Sequence, residues 1–189
     1  MTRIAQACRR ATLAVAALAV SAAVASAQSY NNTTVGGPTF NRTVECSGLS
    51  LVGTAVRYHV QGVYTGTAGV RTFTSVATNP VNWDNYLFLY ANPFNPLAPT
   101  VGCLAGNDDG PAGIGQSQFS FNMAANTQYF LVTSGFGNDD AGAFTNTVTG
   151  GTVTFGTLPT VVIPEPSTYA LLATGVVGLG VIARRRRRV

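Results

Sequence analysis

"AVRYHVQGVY", Ala55 to Tyr64, sets Val56, Tyr58 and Val60 at alternate positions with Arg57, His59 and Gln61 between them. A period of two marks an extended chain whose side chains point to opposite faces in turn, so the stretch predicts a β-strand with one apolar and one polar face. "YLFLYA", Tyr86 to Ala91, is apolar on both faces, as a central strand under cover would be. "QFSFNM" puts Phe119, Phe121 and Met123 on one side, and "QYFLVTS", Gln128 to Ser134, again fills both. Gly, Asn, Asp and Pro cluster between these runs, as in the turn "SVATNPVNW", and no stretch carries a helical period. Short strands with turn-rich connections predict an all-β fold, an antiparallel, jelly-roll-like β-sandwich over residues 28–155. The roughly 130 residues available suit one globular domain.

Charge separates this middle from the two ends. Of the eleven arginines, three lie in the first ten residues and five are Arg184, Arg185, Arg186, Arg187 and Arg188; lysine is absent. Between Gln28 and Ile163, Arg42, Arg57 and Arg71 face Glu45, Asp84, Asp108, Asp109, Asp139 and Asp140, three cations against six carboxylates and a formal charge of minus three. The overall pI of about 9.3 therefore belongs to the termini and implies no nucleic-acid partner.

Residues 1–27 have a positive start, an apolar stretch from Ala11 to Val20, and Ala25, Ser26 and Ala27 in an A-x-A arrangement. That pattern predicts a secretory signal, cut by signal peptidase before Gln28; a membrane span would need a longer apolar core. Cleavage removes Cys8 and leaves Cys46 and Cys103. In an oxidising compartment two thiols predict one disulfide, the alternative being two unpaired buried thiols.

After a linker over 156–166, residues 167–183 are apolar, small or hydroxyl-bearing. Seventeen helical residues extend about 25 Å, enough for a marginal transmembrane helix, with Tyr169 at one interface and the arginines as a cytoplasmic stop in the tail 184–189. A buried core helix is the alternative, but five adjacent arginines cannot follow it into a packed interior. Pro164 and Pro166 hold Glu165 in an extended segment open to an enzyme. Pro-Glu-Pro-Ser-Thr, an aromatic, a Leu/Ala/Gly-rich span and a terminal arginine run resemble the PEP-CTERM sorting signal. Residues 173–177 depart mildly from it by being poorer in leucine. The resemblance implies exosortase as a partner, transient anchoring in the membrane with the carboxyl end cytoplasmic, and a destination at the cell surface or in an extracellular matrix, linked to exopolysaccharide.

The middle carries a second likeness. Asp-x-Tyr-Leu from Asp84, Asn-Asp-Asp-Gly from Asn107, Asn-Thr-x-Tyr from Asn126 and Gly-x-Phe-Thr from Gly142 are similar, over about 70 residues, to the bacterial pre-peptidase C-terminal group. That resemblance implies a non-catalytic accessory β-sandwich, here without an attached peptidase.

Two acidic turns, "GNDDG" (106–110) and "GNDDA" (137–141), offer Asp108, Asp109, Asp139 and Asp140 with Asn107 and Asn138 as oxygen ligands for calcium if they meet. Neither has EF-hand spacing, and such strings also serve as ordinary solvated turns. Trp83, Tyr86 and Tyr90, beside Asn82, Asp84 and Asn85, offer a carbohydrate platform; by alternation Tyr86, Phe88 and Tyr90 share one side and could all be core, which is the stronger reading. For catalysis the inventory is thin. His59 is the lone histidine, placed on a polar face, and neither G-x-S-x-G nor H-E-x-x-H occurs. The sequons at Asn31, Asn32 and Asn41 read as composition. The expectation is a non-enzymatic surface module without an obligatory cofactor, calcium being the one candidate. A carbohydrate-binding or calcium-dependent adhesion module is the alternative, and a secreted hydrolase a more distant one.

Overall fold

The computed structural model describes residues 27–156. The signal segment before Ala27, the sorting motif, the span 167–183 and the arginine tail lie outside the described residues. Within them the secondary structure is strand and turn: β1 (Gln28–Thr33), β2 (Thr39–Phe40), β3 (Val56–Thr65), β4 (Gly69–Asn79), β5 (Asn85–Tyr90), β6 (Cys103–Asn107), β7 (Gln116–Met123), β8 (Thr127–Gly135), β9 (Ala143–Thr149) and β10 (Thr154–Phe155). They form a four-stranded sheet in the order β1-β9-β4-β7 and a six-stranded sheet in the order β10-β3-β8-β5-β6, with β2 also on β3. Every paired strand runs antiparallel. Apart from β5 to β6, each connection from β3 to β10 crosses between sheets, so the two layers are stitched together from β3 to β10.

The expected strands form in the expected alternation, and the expected turn "SVATNPVNW" is corrected, since residues 75–79 are the end of β4 and pair with β9; the packing says which face meets what. Val63, Leu87, Leu89, Tyr129 and Leu131 of the larger sheet meet Phe73, Met123 and Val148 of the smaller one in the core between the layers, with Phe119 and Phe121 against it. Tyr86, Phe88, Tyr90 and Val132 point the other way, joined by Tyr58 and Val60. All six side chains of β5 are buried. The outer face of the larger sheet is therefore not solvent. Segment 34–54 lies over it through Phe40, and the β5–β6 connection adds Phe94. Phe94 packs edge-on against Phe40, Tyr58 and Tyr90 at 4.9–5.0 Å between ring centres. A covalent tie joins segment 34–54 to the start of β6: Cys46 and Cys103 form a disulfide with Cα atoms 5.4 Å apart.

His59 is a correction to the polar-face reading of β3. Alternation puts His59 and Gln61 on the same side as Val63, and that side faces the second sheet. The His59 ring sits 5.8 Å from Phe144 and 6.2 Å from Tyr30. Periodicity separates two faces but does not say which one another layer will cover.

The site of His59 is a polar layer inside an apolar sandwich. In register across the smaller sheet stand Tyr30, Asn146, Ser75 and Ser117, one from each of its four strands. Asn146 donates to Tyr30 Oη and to Thr133 Oγ1, both at 2.7 Å. Asn85 donates to Ser75 Oγ at 2.9 Å, and Ser117 Oγ donates to the Asn85 carbonyl at 2.7 Å. The bond to Thr133 and those of Asn85 tie the two sheets, and together with the Asn146–Tyr30 bond they explain how so many polar groups are tolerated at burial. Asn146 Oδ1 and His59 Nδ1 are buried in the layer without a partner. Trp83, Ala77 and Phe144 seal the end of the sandwich beyond it.

The disulfide closes 57 residues of chain. In the chain-entropy model, replacing Cys46 and Cys103 together by serine costs about 4 kcal/mol. The midpoint of urea unfolding, compared without reductant, should fall accordingly, and the wild-type protein should show no reactive thiol at these positions until it is reduced.

Candidate functional site

Residues 42–53 form a small hairpin on the outer face of the larger sheet. Arg42 N–H donates to the Gly53 carbonyl and Ser50 N–H to the Arg42 carbonyl, at 3.0 and 2.8 Å, and Thr43 and Leu49 form an isolated bridge. Ser50 Oγ accepts the N–H groups of Val52 and Gly53, fixing the return. At the tip Glu45 and Cys46 both take left-handed backbone, φ 47° and 65°, a conformation that non-glycine residues adopt at a cost. The disulfide and a 3.1 Å hydrogen bond from Glu45 N–H to Tyr86 Oη hold them there.

Beneath the hairpin lies Arg42, only 2% exposed. Its guanidinium is 4.5 Å from the ring centres of both Tyr86 and Phe136. Nε donates to the Phe136 carbonyl at 2.7 Å and Nη1 to the Thr43 carbonyl at 3.1 Å. Burial pulls its pKa down, opposed by Tyr86 and by the charges of Asp108, Asp84 and Asp140. Gly53 must be glycine here, because a Cβ would stand 2.6 Å from Arg42 Nε and 2.7 Å from the Phe136 carbonyl oxygen. Sequence reasoning counted Arg42 only as a charge. A lone arginine in a loop carries no pattern that announces burial between two rings distant in the chain.

Between this hairpin, Phe136 and Asp108 opens a cleft of about 430 Å³. Arg42 and Tyr86 form its buried base, Val44, Leu49, Leu51 and Val52 one apolar wall, and Glu45 and Asp108 its acidic margin.

The two acidic turns approach the same end of the domain, near Asp84. Burial raises the Asp84 carboxyl to about 6, and the like charges of Asp140, Asp109 and Asp108 push it the same way, against Arg42. Each turn is also satisfied internally. Asp140 Oδ2 accepts the Gly137 N–H at 2.7 Å, and Asp108 Oδ1 accepts the Asp109 N–H at 3.0 Å. Asn107 Nδ2 donates to the carbonyls of Asp109 and Gln118, while Asn138 bonds Ala55 N–H and Thr54 Oγ1. Asp109 and Asp139 are exposed. Among the described residues no three His, Cys, Asp or Glu side chains are grouped to hold a metal ion.

The aromatic candidates follow the core reading. Trp83, Tyr86 and Tyr90 are buried. Trp83 Nε1 donates to the Ala143 carbonyl at 2.9 Å, and Tyr90 Oη to the Pro99 carbonyl at 2.8 Å. Tyr86 stacks on Phe88 at 4.4 Å and 7°, with Arg42 also over its ring. His59 lies between the sheets, with its ring beside Tyr30 and Phe144.

Comparison with known proteins finds that residues 162–188 match the PEP-CTERM protein-sorting motif. No curated protein matches the chain. Among solved structures, the chain is similar to CBM35 from Cellvibrio japonicus Abf62, at 13% identity over 70% of this chain and 100% of that one, TM-score 0.38. It is also similar to Aeromonas hydrophila PliG, a periplasmic inhibitor of g-type lysozyme, at 12% identity over 70% and 89%, TM-score 0.35. A third is the K1 cleaved adhesin domain of Lys-gingipain from Porphyromonas gingivalis W83, at 14% identity over 71% and 99%, TM-score 0.29. Such scores are too low to equate the folds.

Two measurements check this account of the site. Arg42→Ala removes two hydrogen bonds and the filling between two rings, and should cost about 3 kcal/mol of stability in denaturant titration. Asp84 has its folded pKa raised above the unfolded 3.8, so its penalty is absent below that value, grows between pH 4 and 6 and is complete above about 6. Asp84→Asn should therefore raise the melting temperature at pH 7.5 and leave it nearly unchanged at pH 4.

Proposed function

We propose that this chain is an exported protein, sorted by exosortase through its carboxyl-terminal signal, whose β-sandwich works at the cell surface or in the extracellular matrix as a non-catalytic structural or binding module. The observation that carries the reading is the match of residues 162–188 to the PEP-CTERM protein-sorting motif. In that reading Pro164, Glu165 and Pro166 are the recognition motif and Arg184 to Arg188 the cytoplasmic stop.

Two features of the domain support it. A disulfide between Cys46 and Cys103 is at home in an oxidising compartment rather than in a reducing one. The titratable groups are placed in a way that favours binding over chemistry: His59 stands partly buried between the sheets with its pKa lowered by burial, and Asp108 and Asp140 each accept a backbone N–H of their own turn. The association with exopolysaccharide belongs to this proposal and rests on the sorting signal alone.

Expression in a host that makes exosortase tests the reading. The wild-type chain should appear at the surface or in the medium as a product lacking its last residues, whereas Glu165→Ala should remain full-length in the membrane fraction. Identical mass and fractionation of the two would overturn the sorting assignment.

A further inference from the structure

We propose that the cleft between the 42–53 hairpin, Phe136 and Asp108 binds a peptide segment that combines apolar with basic side chains. The inference goes beyond the sorting reading and does not depend on it, since the cleft is a property of the described domain.

The shape of the site favours a ligand of this size. Its volume, about 430 Å³, is that of an ordinary ligand pocket and accommodates a few side chains. The apolar wall is unusual for a surface loop. Leu51 is 95% exposed, Val52 58%, Leu49 54% and Val44 46%, four aliphatic side chains within nine residues of one hairpin. Apolar side chains contiguous at a surface and rimmed by polar groups mark sites of association. The hairpin is held ready by the disulfide and by Tyr86, with two residues in left-handed backbone, so little ordering remains to be done on binding.

Charge selects among ligands that fit an apolar wall. Glu45 and Asp108 line the cleft, and Asp84 and Asp140 lie within electrostatic reach of its base. Among the described residues lining the cleft, one guanidinium stands against these carboxylates, that of Arg42, which is buried between two rings and engaged with two backbone carbonyls. The field at the mouth is therefore negative, and a cationic side chain is drawn to it.

Sugar is the poorer fit. The Tyr86 ring is stacked on Phe88 and also has Arg42 over it, so Tyr86 is engaged on both faces, and Arg42 covers one face of Phe136. The remaining wall is aliphatic and offers few hydrogen bonds to a polyhydroxylated ring. A peptide places leucine-like groups against Leu51 and Val52 and an arginine or lysine head beside Asp108 and Glu45. Tyr86 Oη, which accepts from Glu45 N–H, keeps its own hydrogen for a peptide carbonyl.

The test uses the purified full chain in detergent and fluorescence anisotropy of a labelled pentapeptide alternating Leu and Arg, with empty micelles subtracted. Two control peptides carry Glu in place of Arg, or Ser in place of Leu. The Leu–Arg peptide should bind with a dissociation constant on the order of 10 µM, and either control about tenfold more weakly. Leu51→Ser should weaken binding about tenfold and Asp108→Asn about fivefold, each with an unchanged melting temperature because both positions lie at the mouth of the cleft. Raising salt to about 0.5 M should reproduce the loss seen with Asp108→Asn. Equal binding of the Glu and Arg peptides, no binding up to about 1 mM, or wild-type affinity in both variants would overturn the proposal. None of these outcomes bears on where the protein is sorted.

Discussion

A strand that is apolar on both faces cannot stop at one partner layer, and β5 is such a strand, with all six of its side chains buried. Leu87 and Leu89 are satisfied by the second sheet. Tyr86, Phe88 and Tyr90 need another cover, and no regular sheet provides it. The chain supplies segment 34–54 instead, a short strand, β2, followed by the small hairpin of 42–53. Three kinds of force hold it: ring packing around Phe40 and Phe94, the buried guanidinium of Arg42, and the covalent link to Cys103. The requirement to keep water from one strand thus explains the disulfide, the buried cation and the cleft that forms where the cover meets the acidic turns.

The interior is divided as well. Apolar packing fills most of the space between the layers, while Tyr30, Asn146, Ser75 and Ser117 run across it as a polar rank. A hydrogen-bonded rank of this kind fixes how the sheets slide relative to each other more sharply than hydrocarbon contacts do, because a displaced register would strand buried donors. Partial satisfaction of Asn146 and His59 makes the same rank the place where the fold is most sensitive to a change in polarity.

The strands with strong alternation were legible without coordinates: 55–64, 86–91, 118–123 and 128–134 all lie in or largely within observed strands. So was the pairing of Cys46 with Cys103, since only two cysteines follow the signal segment. The strands β1 and β9 were harder to read, because "QSYNNT" and "AFTNTVT" are polar enough to pass for loop. β2 and β10 are two residues each, below the length at which a period exists. For the site, the acidic turns could be listed but not their approach to Asp84, and Arg42 gave no local sign of its stacking. Those facts arise from connections that cross between layers, and a pattern read along the chain contains no information about such crossings.

The first and last strands of the domain lie close together, although they belong to different sheets. Gln28 Oε1 accepts the Val153 N–H at 2.9 Å, across a separation of 125 residues. A domain whose ends meet can be rejoined head to tail and reopened at an exposed loop, so a circularly permuted chain beginning at such a loop would preserve both layers, and the domain could be grafted into a surface turn of another protein without splaying its host.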